Sequence, residues 1–164
     1  LQRTFLKSPI LFGSQVSSRY NLKRRIAYYG NRVKAHKGTD FAAPVGTPIM
    51  ATADGRVVKS SYTRGNGYYV KIQHNNKYST QYLHMQKKGR IKQGKYVKQG
   101  DVIGKVGMTG NTSGPHVCYR FWKNSRQVDP YKQKLPPGKP VPKKLNNNYE
   151  DYILPLIHEL DQIK

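Results

Sequence analysis

Tyr68-Tyr-Val-Lys-Ile-Gln-His74, Asn75-Asn76, Lys77-Tyr-Ser-Thr-Gln-Tyr-Leu-His84 is the stretch that decides the fold. Two runs rich in Val, Ile, Thr and Tyr, apolar mostly alternating with polar, flank an Asn-Asn pair. A period of two marks a half-buried strand, and paired asparagines suit a hairpin turn. Outward from this hairpin the punctuation is regular: Gly38, Gly46, Asp54-Gly55, Gly65-Asn-Gly67, Gly89, Gly94, Gly100, Gly104, Gly107, Gly110 and Gly114. Turn signals this dense leave room for strands of about four to eight residues and for no long helix. Further strands are expected at Pro48 to Ala53, Gly55 to Ser61, Val102 to Val106 and Val117 to Trp122. Gly94-Lys-Tyr-Val-Lys-Gln-Gly100-Asp-Val-Ile-Gly104 reads as a strand, a tight turn and a returning strand, so neighbours in sequence are expected to pair. The fold class is mainly β and antiparallel.

The 164 residues suit one domain with appendages, large enough to bury roughly two-thirds of the unfolded surface without cross-links. With 30 Lys and Arg against 8 Asp and Glu, the formal charge is +22, and a field of that sign concentrates polyanions. Charge alone does not choose among nucleic acid, carboxylate-rich peptidoglycan, phosphate-bearing envelope polymers and membrane surfaces. One cysteine, Cys118, excludes an intrachain disulfide. No apolar run approaches the length of a membrane-spanning helix, roughly 18 residues or more. The chain starts at Leu1 rather than Met, which leaves room for an export signal or membrane anchor upstream.

Residues 1–30 read as an arm or short strands leading into the domain. The compact domain is expected to occupy 31–134. After Asp129-Pro130 the composition turns to Pro, Lys and Gly, and 135–145 reads as an extended connector. Residues 146–164 are expected to form a short amphipathic helix: Asn146 to Asn148 supply an N-cap, and Ile153, Leu156, Ile157 and Leu160 recur at helical spacing, with Pro155 in the first turn.

Three clusters of metal-capable side chains lie in the β region: His36-Lys-Gly-Thr-Asp40, Tyr82-Leu-His84-Met and His116-Val-Cys118. Zinc takes such nitrogen, oxygen and sulfur donors. On a strand, residues two apart share a face, so His116 and Cys118 project into one groove. His36 and Asp40 are four apart, about 13 Å on a straight strand, too far to share one ion; the chain must bend between them, and Gly38 makes a bend cheap. His74, beside its turn, and His158 are expected to face solvent. Gly107-Met-Thr-Gly110 is not a phosphate loop, because no Gly-Lys-Ser/Thr follows.

These residues resemble the lysostaphin/LytM-type metallopeptidases, which carry H-x-x-x-D, a later Tyr-x-His and a Gly-rich approach to a terminal H-x-H. The likeness runs from about Arg19 to Asp129 in five ordered segments: Ala35 to Pro48, Ala53 to Val57, Tyr78 to His84, Gly94 to Gly104 and Val106 to His116. It implies an open, barrel-like antiparallel core with zinc held by His36 and Asp40, position 118 as third ligand, and His84 and His116 beside the open position as acid/base or oxyanion-stabilising groups. The substrate class it implies is the peptide part of bacterial peptidoglycan, cut outside the cytoplasm, in the periplasm or envelope. The substrate groove would be lined by the Gly65 to Gly67 and Gly107 to Gly114 loops.

The departure is Cys118, where the family has a second histidine. Thiolate is a competent zinc ligand whose charge makes the metal less electrophilic. A zinc endopeptidase is the first reading. A domain that kept the fold, lost catalysis and binds wall or activates a partner hydrolase is the alternative. A nucleic-acid-binding barrel would account for the charge and the 13 tyrosines, but leaves the ordered His, Asp and Cys set unexplained, so no nucleic-acid partner is expected.

Overall fold

A computed structural model describes residues 4–11, 14–25, 33–87 and 91–138. Chain contacts divide the molecule into a unit of Leu6–Lys134 and a second made of Leu1–Phe5 with Leu135–Lys164. Most of the second unit, the expected C-terminal helix included, lies outside the described residues.

Ten strands are described: β1 (Gln15–Ser18), β2 (Thr39–Ala42), β3 (Pro48–Met50), β4 (Gly55–Thr63), β5 (Gly67–Gln73), β6 (Tyr78–Met85), β7 (Tyr96–Val97), β8 (Val102–Lys105), β9 (His116–Lys123) and β10 (Arg126–Val128), followed by a 3-10 turn at Pro130–Lys132. The main sheet runs β1-β2-β9-β6-β5-β4-β7 with β10 on β9, and β3 and β8 form a separate pair. All these pairings are antiparallel. The architecture is the mainly antiparallel β fold expected from the alternating runs.

Alternation sets the core. Val57, Val70, Ile72, Tyr82, Val117 and Phe121 are almost fully buried, as are Ile49, Ile103 and Val106 on and beside β3 and β8. β6 is buried along its whole length because it lies between β5 and β9. The Asn75-Asn76 hairpin forms as read, with Asn75 Oδ1 accepting from the amides of Lys77 and Tyr78 at 2.9 Å.

Two expectations are corrected. The turn inside Gly94 to Gly104 exists, closed by the Asp101 amide donating to the Lys98 carbonyl at 3.1 Å. Its arms, however, do not pair with each other: β7 joins β4 and β8 joins β3. Gly55 and Arg56 of β4 pair with the incoming arm, while the outgoing arm pairs with β3 and buries Ile103. His74 does not face solvent. Its Nδ1 lies 2.7 Å from the Asp54 carbonyl and its Nε2 2.8 Å from Thr80 Oγ1. Thr80 leads into a buried polar chain through Tyr82 OH and Thr52 to Tyr119 OH.

Candidate metal centre

The register of three strands builds the site. Asp40 on β2 stands opposite Cys118 on β9, and Leu83 on β6 stands opposite Cys118 from the other side. His116 lies two residues before Cys118 and therefore on the same face. His36 precedes β2 and is tied back by reciprocal backbone bonds with Asn21. The bend between His36 and Asp40 owes to space rather than to an unusual backbone angle. A Cβ at Gly38 would stand 2.8 Å from Cys118 Sγ and 3.0 Å from the Tyr119 carbonyl. Only glycine lets the loop lie this close over β9.

His84 arrives by a different device. Between Tyr68↔Met85 and Val70↔Tyr82, β6 spends one residue more than β5, a bulge that leaves His84 at φ 62°. A non-glycine residue rarely takes this conformation, and bulges beside functional sites serve to re-aim a side chain. The bulge is closed by the His84 amide donating to the Asn66 carbonyl (2.9 Å) and the Gly107 amide donating to the His84 carbonyl (3.0 Å).

The resulting cluster is tight. His36 Nε2 lies 3.0 Å from Asp40 Oδ1, Cys118 Sγ lies 3.7 Å from His36 Nε2, and the donor atoms of His36, Asp40 and Cys118 are all within 4.8 Å of one another. His116 Nε2 is 3.6 Å from Asp40 Oδ1, and the His84 and His116 rings are 4.8 Å apart. All five residues named from sequence therefore converge.

The three histidines share one arrangement. Each has its Nδ1 on a main-chain carbonyl: His36 on Arg19 (3.1 Å), His84 on Thr109 (2.8 Å) and His116 on Gly114 (2.9 Å). A carbonyl only accepts, so Nδ1 is the donor in each ring and Nε2 is turned to the site. This is how ligating histidines are held in general.

The donor set fits zinc. Tetrahedral ligation with nitrogen and oxygen at about 2.0 Å and sulfur at about 2.3 Å puts ligand atoms about 3.3–3.6 Å apart. The His36–Asp40 and His36–Cys118 separations of 3.0 and 3.7 Å are close to that. Moreover, the His36 lone pair and an Asp40 oxygen, 3.0 Å apart, repel unless a proton or a cation lies between them.

Burial acts to raise the Asp40 carboxyl, but the hydrogen bond and charge of His36, with His116, outweigh it and hold the group below the usual range. Burial lowers His84, opposed by its bond to Thr109, and favours the neutral base. Burial first, and the Asp40 charge second, push the Cys118 thiol up to about 12. Thiolate ligation therefore goes with release of a proton.

Peptidase family M23 matches residues 34–130 of this chain. The chain belongs to peptidase family M23. Family membership implies a metal cofactor, and the fold is the lysostaphin type. Peptidoglycan DD-endopeptidase ShyC of Vibrio cholerae is 48% identical over 136 residues, which cover 83% of this chain and 31% of ShyC. A crystal structure of a zinc-containing peptidase from Vibrio cholerae aligns with TM-score 0.75 at 38% identity, covering 82% of this chain and 41% of that one. The catalytic domain of lysostaphin from Staphylococcus simulans aligns with TM-score 0.62 at 28% identity, covering 72% and 90%. The chain spans about a third of the length of the curated relatives it matches.

One residue that sequence reading missed is Thr109. Its carbonyl holds His84, its Oγ1 accepts from the Tyr68 amide at 2.9 Å, and the same hydroxyl donates to the Met85 carbonyl at 2.6 Å. Arg24, whose guanidinium lies 3.9 Å from Asp40 Oδ2 and donates to Ser18 Oγ, was missed too. Beyond Thr109, Tyr62, Arg64, Gly65, Gly110 and Asn111 line an open cleft of about 640 Å³.

Proposed function

We propose that this chain is a zinc-dependent endopeptidase that cleaves peptide cross-links or stem peptides of bacterial peptidoglycan, outside the cytoplasm. His36, Asp40 and Cys118 would hold the ion, and residues 31–134 would make up the peptidase domain. The observation that carries the reading is the convergence of three carbonyl-fixed histidines on a buried carboxylate and a buried thiol. ShyC, named as a peptidoglycan DD-endopeptidase, supports the substrate class.

When bound, zinc supplies Lewis acidity that polarises a carbonyl and eases deprotonation of water. His84 and His116 stand beside the ligands with Nδ1 held by a main-chain carbonyl. One of them takes a proton from the water that attacks the amide carbon and returns it to the leaving amine. The other, once protonated, donates to the oxyanion. The cleft beside Gly65 and Gly110 gives the peptide a place to lie next to His84.

The test is zinc content and release of peptide from purified peptidoglycan, under reducing conditions, for the parent, Asp40→Ala and Cys118→His. The parent is expected to hold one zinc and to release fragments, with Asp40→Ala losing the metal and at least about 100-fold in rate. A metal-free, inert parent that gains zinc only as Cys118→His would replace this reading with that of a silent wall-binding domain.

A further inference from the structure

The metal centre treats the two oxygens of Asp40 differently. Oδ1 lies 3.0 Å from His36 Nε2 and 3.6 Å from His116 Nε2, and so belongs to the site. Oδ2 is 3.9 Å from Arg24 Nη1, with the Asp40 and Arg24 side chains only 14% and 28% exposed. An exposed ion pair contributes little because water and salt screen it, but a pair this enclosed is screened less. Arg24 Nε is buried and has no acceptor among the described residues, an unfavourable placement of the kind found where function fixes a side chain.

The segment before β2 holds this cation in place. β1 uses two residues, Ser17 and Ser18, where β2 steps from Phe41 to Asp40, and the bulge brings Ser18 beside Asp40. Ser18 Oγ accepts from Arg24 Nη1 at 2.9 Å and lies 3.2 Å from His36 Nδ1. Ser17 Oγ donates to the Asp40 carbonyl at 3.3 Å. The main chain is fixed as well: the Lys34 amide donates to the Arg24 carbonyl at 2.8 Å, and Asn21 Oδ1 accepts from the Lys23 amide at 2.8 Å. Arg24 therefore reaches Asp40 from the same stretch whose Arg19 carbonyl anchors His36.

We propose that Arg24 is a positioning residue of the metal centre: by holding Asp40 Oδ2 it confines the carboxylate to ligation through Oδ1 alone, so that a fourth position at the ion stays open. The inference rests on the endopeptidase reading for the use to which that position is put. Carboxylates ligate metals through one oxygen or through two, and zinc catalysis needs three protein donors with the fourth place vacant. The charge of Arg24 has a second use in this chain. Asp40 and Cys118 both reach the ion as anions, and a cation on the far oxygen of Asp40 offsets part of the charge that a thiolate adds.

Zinc and cobalt(II) uptake, the visible absorption of the cobalt form, and hydrolysis of a soluble cross-linked stem-peptide dimer are measured on the full chain, Arg24→Gln, Arg24→Lys and Ser18→Ala. Arg24→Gln is expected to keep one metal ion per chain and to exchange the intense absorption of four-coordinate cobalt for the weaker absorption of five-coordinate cobalt as Oδ2 joins the ion. Its kcat should fall about 10- to 100-fold, the usual cost of losing an outer partner of a ligand, with KM close to the parent's. Arg24→Lys, which returns a cation to Oδ2, is expected to recover the parent spectrum and most of kcat. Ser18→Ala removes only the hydroxyl that aligns Arg24, so its loss in kcat should be smaller, about two- to tenfold, and it decides the matter where Arg24→Gln does not fold. A parent-like spectrum and kcat in Arg24→Gln, failure of Arg24→Lys to recover either, or an unchanged kcat in Ser18→Ala overturns the inference. A parent that takes up neither ion overturns both the inference and the endopeptidase reading. A chain whose cobalt spectrum responds to Arg24→Gln as expected but which cleaves no peptide overturns the endopeptidase reading and leaves the role of Arg24 standing.

Discussion

At the level of single residues, the ligand candidates announce themselves by chemistry and their supports do not. His36, Asp40, His84, His116 and Cys118 are types with few other uses in such spacing, and all five meet at one place. Thr109 carries no such mark, because its work is done partly by a main-chain carbonyl that every residue owns. Its hydroxyl nevertheless fixes that carbonyl, by bonds to Tyr68 and Met85. Thr109→Val should therefore leave zinc content as it is and lower turnover by about 10- to 100-fold, the usual cost of losing a group that orients a catalytic one. Metal analysis together with kcat separates this from simple loss of the ion; an unchanged kcat would show that His84 is placed without Thr109.

Among the elements, strands with alternating patterns were legible, as were the two arms of the Gly94 to Gly104 turn, but not the partners those arms take. β5, β6 and β9 lie within a residue or two of the expected spans, because their period of two is imposed by a buried face. β2, only four residues long, has too few residues to display a period, and partner choice for β7 and β8 was settled by distant strands. The bulge in β6 was likewise hidden, since an added residue shows only against its partner strand. The close crossing that bears on the site is the His36-to-Asp40 loop over β9. Gly38→Ala should displace it, costing about 1–3 kcal/mol of stability and weakening zinc binding. Thermal denaturation with and without chelator reads both; an alanine variant equal to the parent in each would show that the loop has slack.

For the molecule as a whole, the single antiparallel core followed from density of turn signals, whereas the polar chain inside it did not, since a histidine next to Asn-Asn looks like turn decoration. His74, half-buried between Asp54 and Thr80, has its pKa lowered chiefly by burial. The unfolded chain therefore binds the proton first, near pH 6.5, and folding stability falls as pH drops below that value until the folded ring titrates too. The slope attributable to one group is at most about 1.4 kcal/mol per pH unit. Melting temperature followed from mildly alkaline to mildly acid pH should decline less steeply in His74→Gln than in the parent; parallel curves would assign the acid sensitivity elsewhere. The carbonyl anchors of the three site histidines have a bearing on heredity as well. A point mutation exchanges side chains but cannot delete a peptide C=O, so the anchors of His36 and His116 are insulated from most sequence drift at positions 19 and 114. The loops that carry those carbonyls are thereby free to diversify their outward side chains, and with them the choice of substrate, without resetting the protons on which the chemistry depends.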